Sequence, residues 1–439
     1  FGYKYLSSPF QSATVNEFAD DVDLAATFPT FYAYDEDNHR DSAGISIYSS
    51  GWVKYITAAN PLVPVSGYAA NMGANAAAKT INATGIVNSG NLTRTLYNHN
   101  RVYTKGFNLA GNPYPSPINW NAASGWTKTN IDNALYYFDA STTDQYTGTY
   151  STYINGISSN GTANGIIPSM QGFFIHVSNG SYPVTATLAM DNRVRINNLT
   201  PAFHKSETAQ DQPLVRLSAA YENKNVIDPV VVYFDANASQ GFDQMLDALK
   251  LMNTDLNVPN LYAVTPQTDL LSISALPLPA DSITRVPLGI KTEKAGWVIL
   301  NATNLDNIPS GLNVYLADEA TGRVLNLQQI PTYRVNISPG SVNNRFALLF
   351  AEKEINGIIN ESNVFYANIE NGKLNVYVNL PAANESRLTI FNVLGQVMQQ
   401  QNLYGNGQHE IDTRLTGGIY ILSLQSQQGI NSIKIYIPK

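Results

Sequence analysis

The side chains able to do chemistry are few and scattered along this sequence. Its 439 residues include five histidines and no cysteine. Without cysteine there is no thiol nucleophile, disulfide, zinc ribbon or iron–sulfur cluster. His39, His99, His176, His204 and His409 contain no i, i+4 pair, so none forms the two-histidine face of a helical metal site. No nucleophile elbow, phosphate-binding loop or dinucleotide fingerprint occurs. His176 alternates with Phe174 in Phe173-Phe174-Ile175-His176-Val177 and reads as a packed strand residue. His409, beside Glu410, reads as a solvated turn residue.

The densest group of hard oxygen ligands is Asp35-Glu36-Asp37-Asn38-His39-Arg40-Asp41. Asp35, Asp37 and Asp41 recur along a loop in a way that suits calcium. The segment lacks the central Gly and terminal Glu of an EF-hand loop, so a solvated acidic loop is the competing reading. No other cofactor is called for. Paired carboxylates for glycoside hydrolysis are defined by distance in space, and no pair stands out along the chain.

Aromatic residues offer a different chemistry. In Gly111-Asn112-Pro113-Tyr114-Pro115-Ser116-Pro117-Ile118-Asn119-Trp120, three prolines stiffen an extended loop that carries Tyr114 and Trp120. Rigid rings can stack on the C–H faces of glycans. The same rings can instead plug the end of a sandwich core.

The elements that position these residues are strands. Leu374, Val376, Val378 and Leu380 alternate with Asn375, Tyr377 and Asn379, a period of two. Ile433, Ile435 and Ile437 repeat the pattern at the C-terminus. Asn-Gly pairs at 155–156, 164–165, 179–180, 371–372 and 406–407 punctuate such runs. Short strands with frequent turns predict an all-β fold of tandem β-sandwiches, jelly-roll or immunoglobulin-like. Phe242, Met245, Leu246 and Leu249 fall at i, i+3, i+4 and i+7 and predict one short helix near 242–251.

Composition bounds the function. Apolar residues make up 44%, enough for sizeable cores, while the charged 13% is about half the usual share, so polarity rests on neutral side chains. The net charge of −7 removes a broad basic footprint for nucleic acid. No run reaches the roughly 18 apolar residues of a transmembrane helix. The length suggests about three domains. Texture places them at 1–200, rich in Tyr and Asn, at 214–352, more aliphatic, and at 362–439, with a linker-like stretch over 197–213. The chain opens on Phe1 without a signal peptide, which predicts a mature chain or part of a longer protein.

The last unit carries ordered motifs: Phe365-Tyr366-Ala367-Asn368-Ile369-Glu370-Asn371-Gly372-Lys373, then Leu388-Thr389-Ile390-Phe391-Asn392-Val393-Leu394-Gly395-Gln396-Val397, then Leu415-Thr416-Gly417-Gly418-Ile419-Tyr420-Ile421-Leu422. It resembles the C-terminal sorting domain of type IX secretion cargo from the Bacteroidota. Ala367 and Ile369 stand where that family usually has prolines. The resemblance implies a small immunoglobulin-like sandwich that acts as an export address. The implied partners are the outer-membrane translocon and its shuttle protein. The candidate docking residues are Gly395, Gln396, Gly418, Tyr420, Lys434, Ile435 and Lys439. It also implies passage through the periplasm and outer membrane to the cell surface or medium.

Upstream, Gly106 to Trp120, Pro168 to Phe174, Gly241 to Leu251, Val286 to Gly289 and Asn344 to Phe346 are similar to stretches of large surface proteins that carry this sorting domain. That implies a non-enzymatic adhesive or structural body, of the kind that serves gliding motility. The alternative is an ancillary glycan-binding region of a secreted hydrolase whose catalytic domain precedes residue 1. Asp41-Ser42-Ala43 and Asp281-Ser282-Ile283 look like the O-glycosylation acceptors of these bacteria, at Ser42 and Ser282.

Overall fold

The computed structural model describes residues 2–38, 41–42, 45–46, 50–74, 79–197, 212–279, 283–352, 365–370, 373–378, 385–405, 407–412, 415–426 and 429–437. Strands dominate, and among the described residues helical structure is confined to the 3-10 turns Val15–Phe18 and Asn192–Val194. The chain divides into two compact units, Phe1–Ala320 with Leu325–Glu354, and Ile355–Lys439 with Thr321–Val324.

In the first unit a five-stranded sheet is buried on both faces. Its order is Ile157–Ser158, Gly148–Ile154, Leu135–Ala140, Gly172–His176, Phe107–Gly111. Side chains alternate across a strand, so neighbours in sequence enter opposite cores. Leu135, Tyr137, Phe173 and Ile175 pack into one core, around Trp120 and Leu188. Tyr136 and Phe174 pack into the other. That second core also takes Val231, Tyr233, Ile273 and Ala275 from the aliphatic half of the unit. In the strand Asp228–Phe234, Val230, Val232 and Phe234 face the opposite way, into a third core. The uninterrupted apolar run at 230–234 is therefore the signature of a strand lying between two cores.

The third core is enclosed by one long curled sheet. Its eleven strands run from Arg323–Asn326 at one end to Thr332–Ile337 at the other, with Ala248–Leu249 off the main path. Polar ties join it to the five-stranded sheet. Arg216 donates to the Ser158 and Ser159 carbonyls at 2.9 and 2.8 Å, and Tyr150 N–H donates to Asn253 Oδ1 at 2.9 Å. The regions expected as separate domains, 1–200 and 214–352, thus share a core within one compact unit.

The expected helix near 242–251 does not form. The segment makes a single turn, with Asp247 N–H bonded to the Asp243 carbonyl at 2.7 Å, and then enters the strand Ala248–Leu249. Its backbone groups are claimed from outside. Asn133 N–H takes the Gln244 carbonyl, Asn155 takes that of Met245, and the Tyr233 hydroxyl takes that of Leu246. The Asp247 side chain folds back onto Asp243 N–H at 2.6 Å. These bonds use the carbonyls that a continuing helix would need.

The second unit is a small sandwich. Phe365–Glu370, Lys373–Val378 and Gly407–Ile411 form one sheet. Val397–Tyr404, Glu385–Asn392, Gly418–Ser426 and Gly429–Ile437, in that order, form the other. Phe365, Leu374, Val376 and Val378 from the first sheet meet Leu388, Ile390, Leu422 and Leu424 from the second. Gly395 sits in the turn between two strands of the larger sheet at φ +78°, where a Cβ would be strained.

Candidate functional site

One end of the outer face of the larger sheet in the second unit is apolar, while Arg387, Ser423, Gln425 and Ser432 make the other end polar. Cross-strand register pairs Ile419 with Tyr436 and Ile421 with Lys434, and places Phe391 beside Ile421. Ile419 and Tyr436 are 42% and 65% exposed, and Val393 and Leu394 protrude from the adjoining turn at 66% and 80%. A two-layer sandwich normally turns polar side chains outward, so a contiguous exposed group of this kind marks an interaction surface. The strand Gly429–Ile437 is the last in its sheet, leaving an edge with no sheet partner among the described residues.

The docking candidates from sequence separate into two groups. Gly395, Gln396 and Lys434 are exposed on this side of the unit, and Gly418 is partly exposed. Tyr420 and Ile435 are buried core residues, and Tyr420 donates its hydroxyl to the Thr416 carbonyl at 2.9 Å. They hold the sheet and offer no contact surface. Lys439 lies outside the described residues. Sequence reading missed Ile419, Ile421 and Tyr436. Their signal was present in Ile419-Tyr420-Ile421-Leu422, which is apolar at both parities where a one-sided sheet should alternate.

Tyr114 and Trp120 are fully buried, which corrects their reading as a glycan platform. Tyr114 donates to the Gly90 carbonyl at 2.6 Å, and Trp120 Nε1 donates to the Asn133 carbonyl at 2.9 Å. Lys128 Nζ lies 4.0 Å above the Trp120 ring and donates to Asn133 Oδ1 at 2.8 Å. Burial lowers the Lys128 ammonium to about 8. The prolines of the loop fix rings that close a core.

Asp35 and Asp37 are not brought together as calcium ligands. Asp35 Oδ1 accepts Asp37 N–H at 3.0 Å, and Asp37 Oδ1 is held by Arg101 at 2.7 Å from Nε. A guanidinium takes the place that a cation would need. Glu36 turns inward onto His99 Nδ1, 2.7 Å away, and His99 N–H. The side chain of Asp41 lies outside the described residues, and those residues contain no group of three or more metal-ligating side chains. Ser282 and the side chain of Ser42 also lie outside them; the backbone of Ser42 pairs with Ile45.

Two acid–base pairs are buried in the first unit. His176 Nδ1 lies 2.5 Å from Asp132 Oδ2, and the Ser178 hydroxyl donates to Asp132 Oδ1 at 2.6 Å. All three residues are buried, and the serine bonds the carboxylate rather than the imidazole. Lys250 Nζ lies 2.6 Å from both oxygens of Asp228, with both side chains enclosed. His409 sits within the strand Gly407–Ile411, not in the turn expected for it.

Two family matches cover most of the chain. Residues 1–350 match the domain of unknown function DUF8693, and residues 365–438 match the secretion system C-terminal sorting domain. The chain belongs to the DUF8693 family. A search of the curated proteins finds no match. The second match makes this DUF8693 protein a type IX secretion cargo with a C-terminal sorting domain, exported to the cell surface or the medium. No helix among its described residues is long and apolar enough to cross a membrane. In this DUF8693 protein the exposed apolar face lies within the sorting domain, and the buried acid–base pairs lie within the DUF8693 region.

Proposed function

We propose that the DUF8693 region is a non-catalytic adhesive or structural module, and that the sorting domain docks on the export machinery through the face formed by Ile419, Ile421, Lys434 and Tyr436. The single observation carrying the docking reading is this exposed apolar face beside a strand edge that is unpaired among the described residues. Apolar contact supplies affinity, and an edge strand can pair with a partner strand. Gly395 and Gln396 adjoin that face at a turn, and Lys434 contributes a positive charge to it. The enclosed Asp132–His176 and Asp228–Lys250 pairs support a body built for rigidity.

The Ile421→Glu variant tests the docking surface. Residue 421 points outward, so stability should hold to within about 0.5 kcal/mol. The variant should accumulate in the periplasm of a host with type IX machinery. Normal surface display of a folded Ile421→Glu protein removes this face from the docking role.

A further inference from the structure

The first unit contains an aromatic hollow built by strand register. Tyr5 and Tyr32 both lie opposite Ala69 in a four-stranded sheet, and Tyr34 lies opposite Trp52. The small Ala69 side chain leaves a gap between larger rings. The resulting cavity is about 300 Å³, at the small end of ligand pockets. Trp52 and Tyr32 line it from the sheet, the mutually bonded hydroxyls of Tyr5 and Tyr150 lie deep in it, and Phe28 and Tyr146 close its side. Phe28 and Tyr146 pack edge to face at 5.3 Å, yet are 56% and 50% exposed. Side chains of this size are seldom left open together without a partner.

Phe28 and Tyr146 also line a second cavity of about 340 Å³. That neighbour is polar, lined by Asp21, Asn71, Lys79 and Gln145 among others. Asp21 Oδ2 is buried there without a hydrogen-bond donor among the described residues. An unsatisfied buried carboxylate oxygen is costly, and Asn71, Lys79 and Gln145 add further hydrogen-bonding groups to this half of the site. On the aromatic side, the described lining residues carry no charge. Tyr146 accepts from Gln145 Nε2 at 3.1 Å, leaving its own O–H free to donate.

From these features we infer that the paired cavities bind a neutral carbohydrate of two or more sugar rings. One ring stacks by its C–H face on the aromatic hollow. The next presents hydroxyls to Asp21 and Asn71 across the Phe28–Tyr146 wall. A lipid tail would fit the aromatic half but would strand the polar half, whereas a sugar chain satisfies both. The inference gives the adhesive reading a ligand class, and for its biological role it rests on that reading.

The test is a glycan array with the full chain, followed by calorimetry on the best neutral oligosaccharide, with palmitate as the lipid control. Phe28→Ala and Tyr146→Ala truncate exposed rings, so both variants should melt with wild type. Each should weaken sugar binding at least tenfold. Asp21→Ala should weaken a disaccharide more than its component monosaccharide. Absence of saturable sugar binding, binding unchanged in both aromatic variants, or binding of palmitate alone would overturn the inference. Attachment of displaying cells to sugar-free polystyrene separates the two readings. If displaying cells attach there while the purified chain shows no saturable sugar binding, adhesion stands while the sugar site falls.

Discussion

The Asp247 carboxylate accepts the Ala275 backbone N–H at 2.6 Å while its second oxygen accepts that of Asp243, also at 2.6 Å. One side chain thus ties the strand Leu270–Leu276 to the turn that replaces the expected helix. Burial pushes this carboxyl up, to about 7, against the two N–H groups that favour the anion. A group whose folded value is raised stabilises the fold most below its unfolded value. That contribution is lost as the pH climbs through the folded value. Between about pH 4 and pH 7 stability should therefore fall, by an amount on the order of 4 kcal/mol at most. Asp247→Asn should flatten this component. Urea unfolding of both proteins across that range checks it, and parallel pH profiles would remove Asp247 as the source.

Lys250 and Asp228 form an enclosed ion pair, and Asp228 also receives Asn253 Nδ2 and Leu261 N–H at 2.8 and 2.6 Å. Removing one partner leaves a buried charge uncompensated, which costs about 3–5 kcal/mol. Lys250→Met should lower the unfolding free energy of the first unit by that amount without altering export. A loss below about 1 kcal/mol would mean that solvent reaches the site.

Trp120 closes a core rather than serving a surface. Trp120→Ala should cost about 3–5 kcal/mol through lost burial and the cavity left behind. Lys128 would lose the ring beneath its ammonium. A stability change under about 0.5 kcal/mol would contradict the enclosed position of the ring.

Much of the second unit was legible in the sequence because its strands face a core on one side only. Leu374, Val376 and Val378 are buried as their alternation predicts, although Asn375 on the opposite parity is buried as well and Leu380 lies outside the described residues. Of the two motif glycines, Gly395 takes a positive φ in its turn and Gly418 does not. The first unit was harder to divide because its central strands are buried on both faces. Leu135-Tyr136-Tyr137 and Val230 to Phe234 carry no period from which to assign a side. The 242–251 pattern failed because long-range partners, Asn133, Asn155 and Tyr233, took the carbonyls that a local helix would have used. The aromatic hollow joins residues 5, 32 and 52, brought together by strand pairing, with 28 and 146 from loops, so no single local pattern announces it. A faint local sign existed in Tyr3-Lys4-Tyr5 and Tyr32-Ala33-Tyr34, whose spacing of two puts both rings of each pair on one sheet face.

The most direct measurement is protease accessibility of the chain on intact cells that carry type IX machinery, with and without residues 365–438. With the sorting domain present, added protease should digest the DUF8693 region from outside. Without it, the same region should be protected in the periplasm and released only when the outer membrane is opened. Equal digestion of both proteins on intact cells would contradict the assignment of the last domain as the export address.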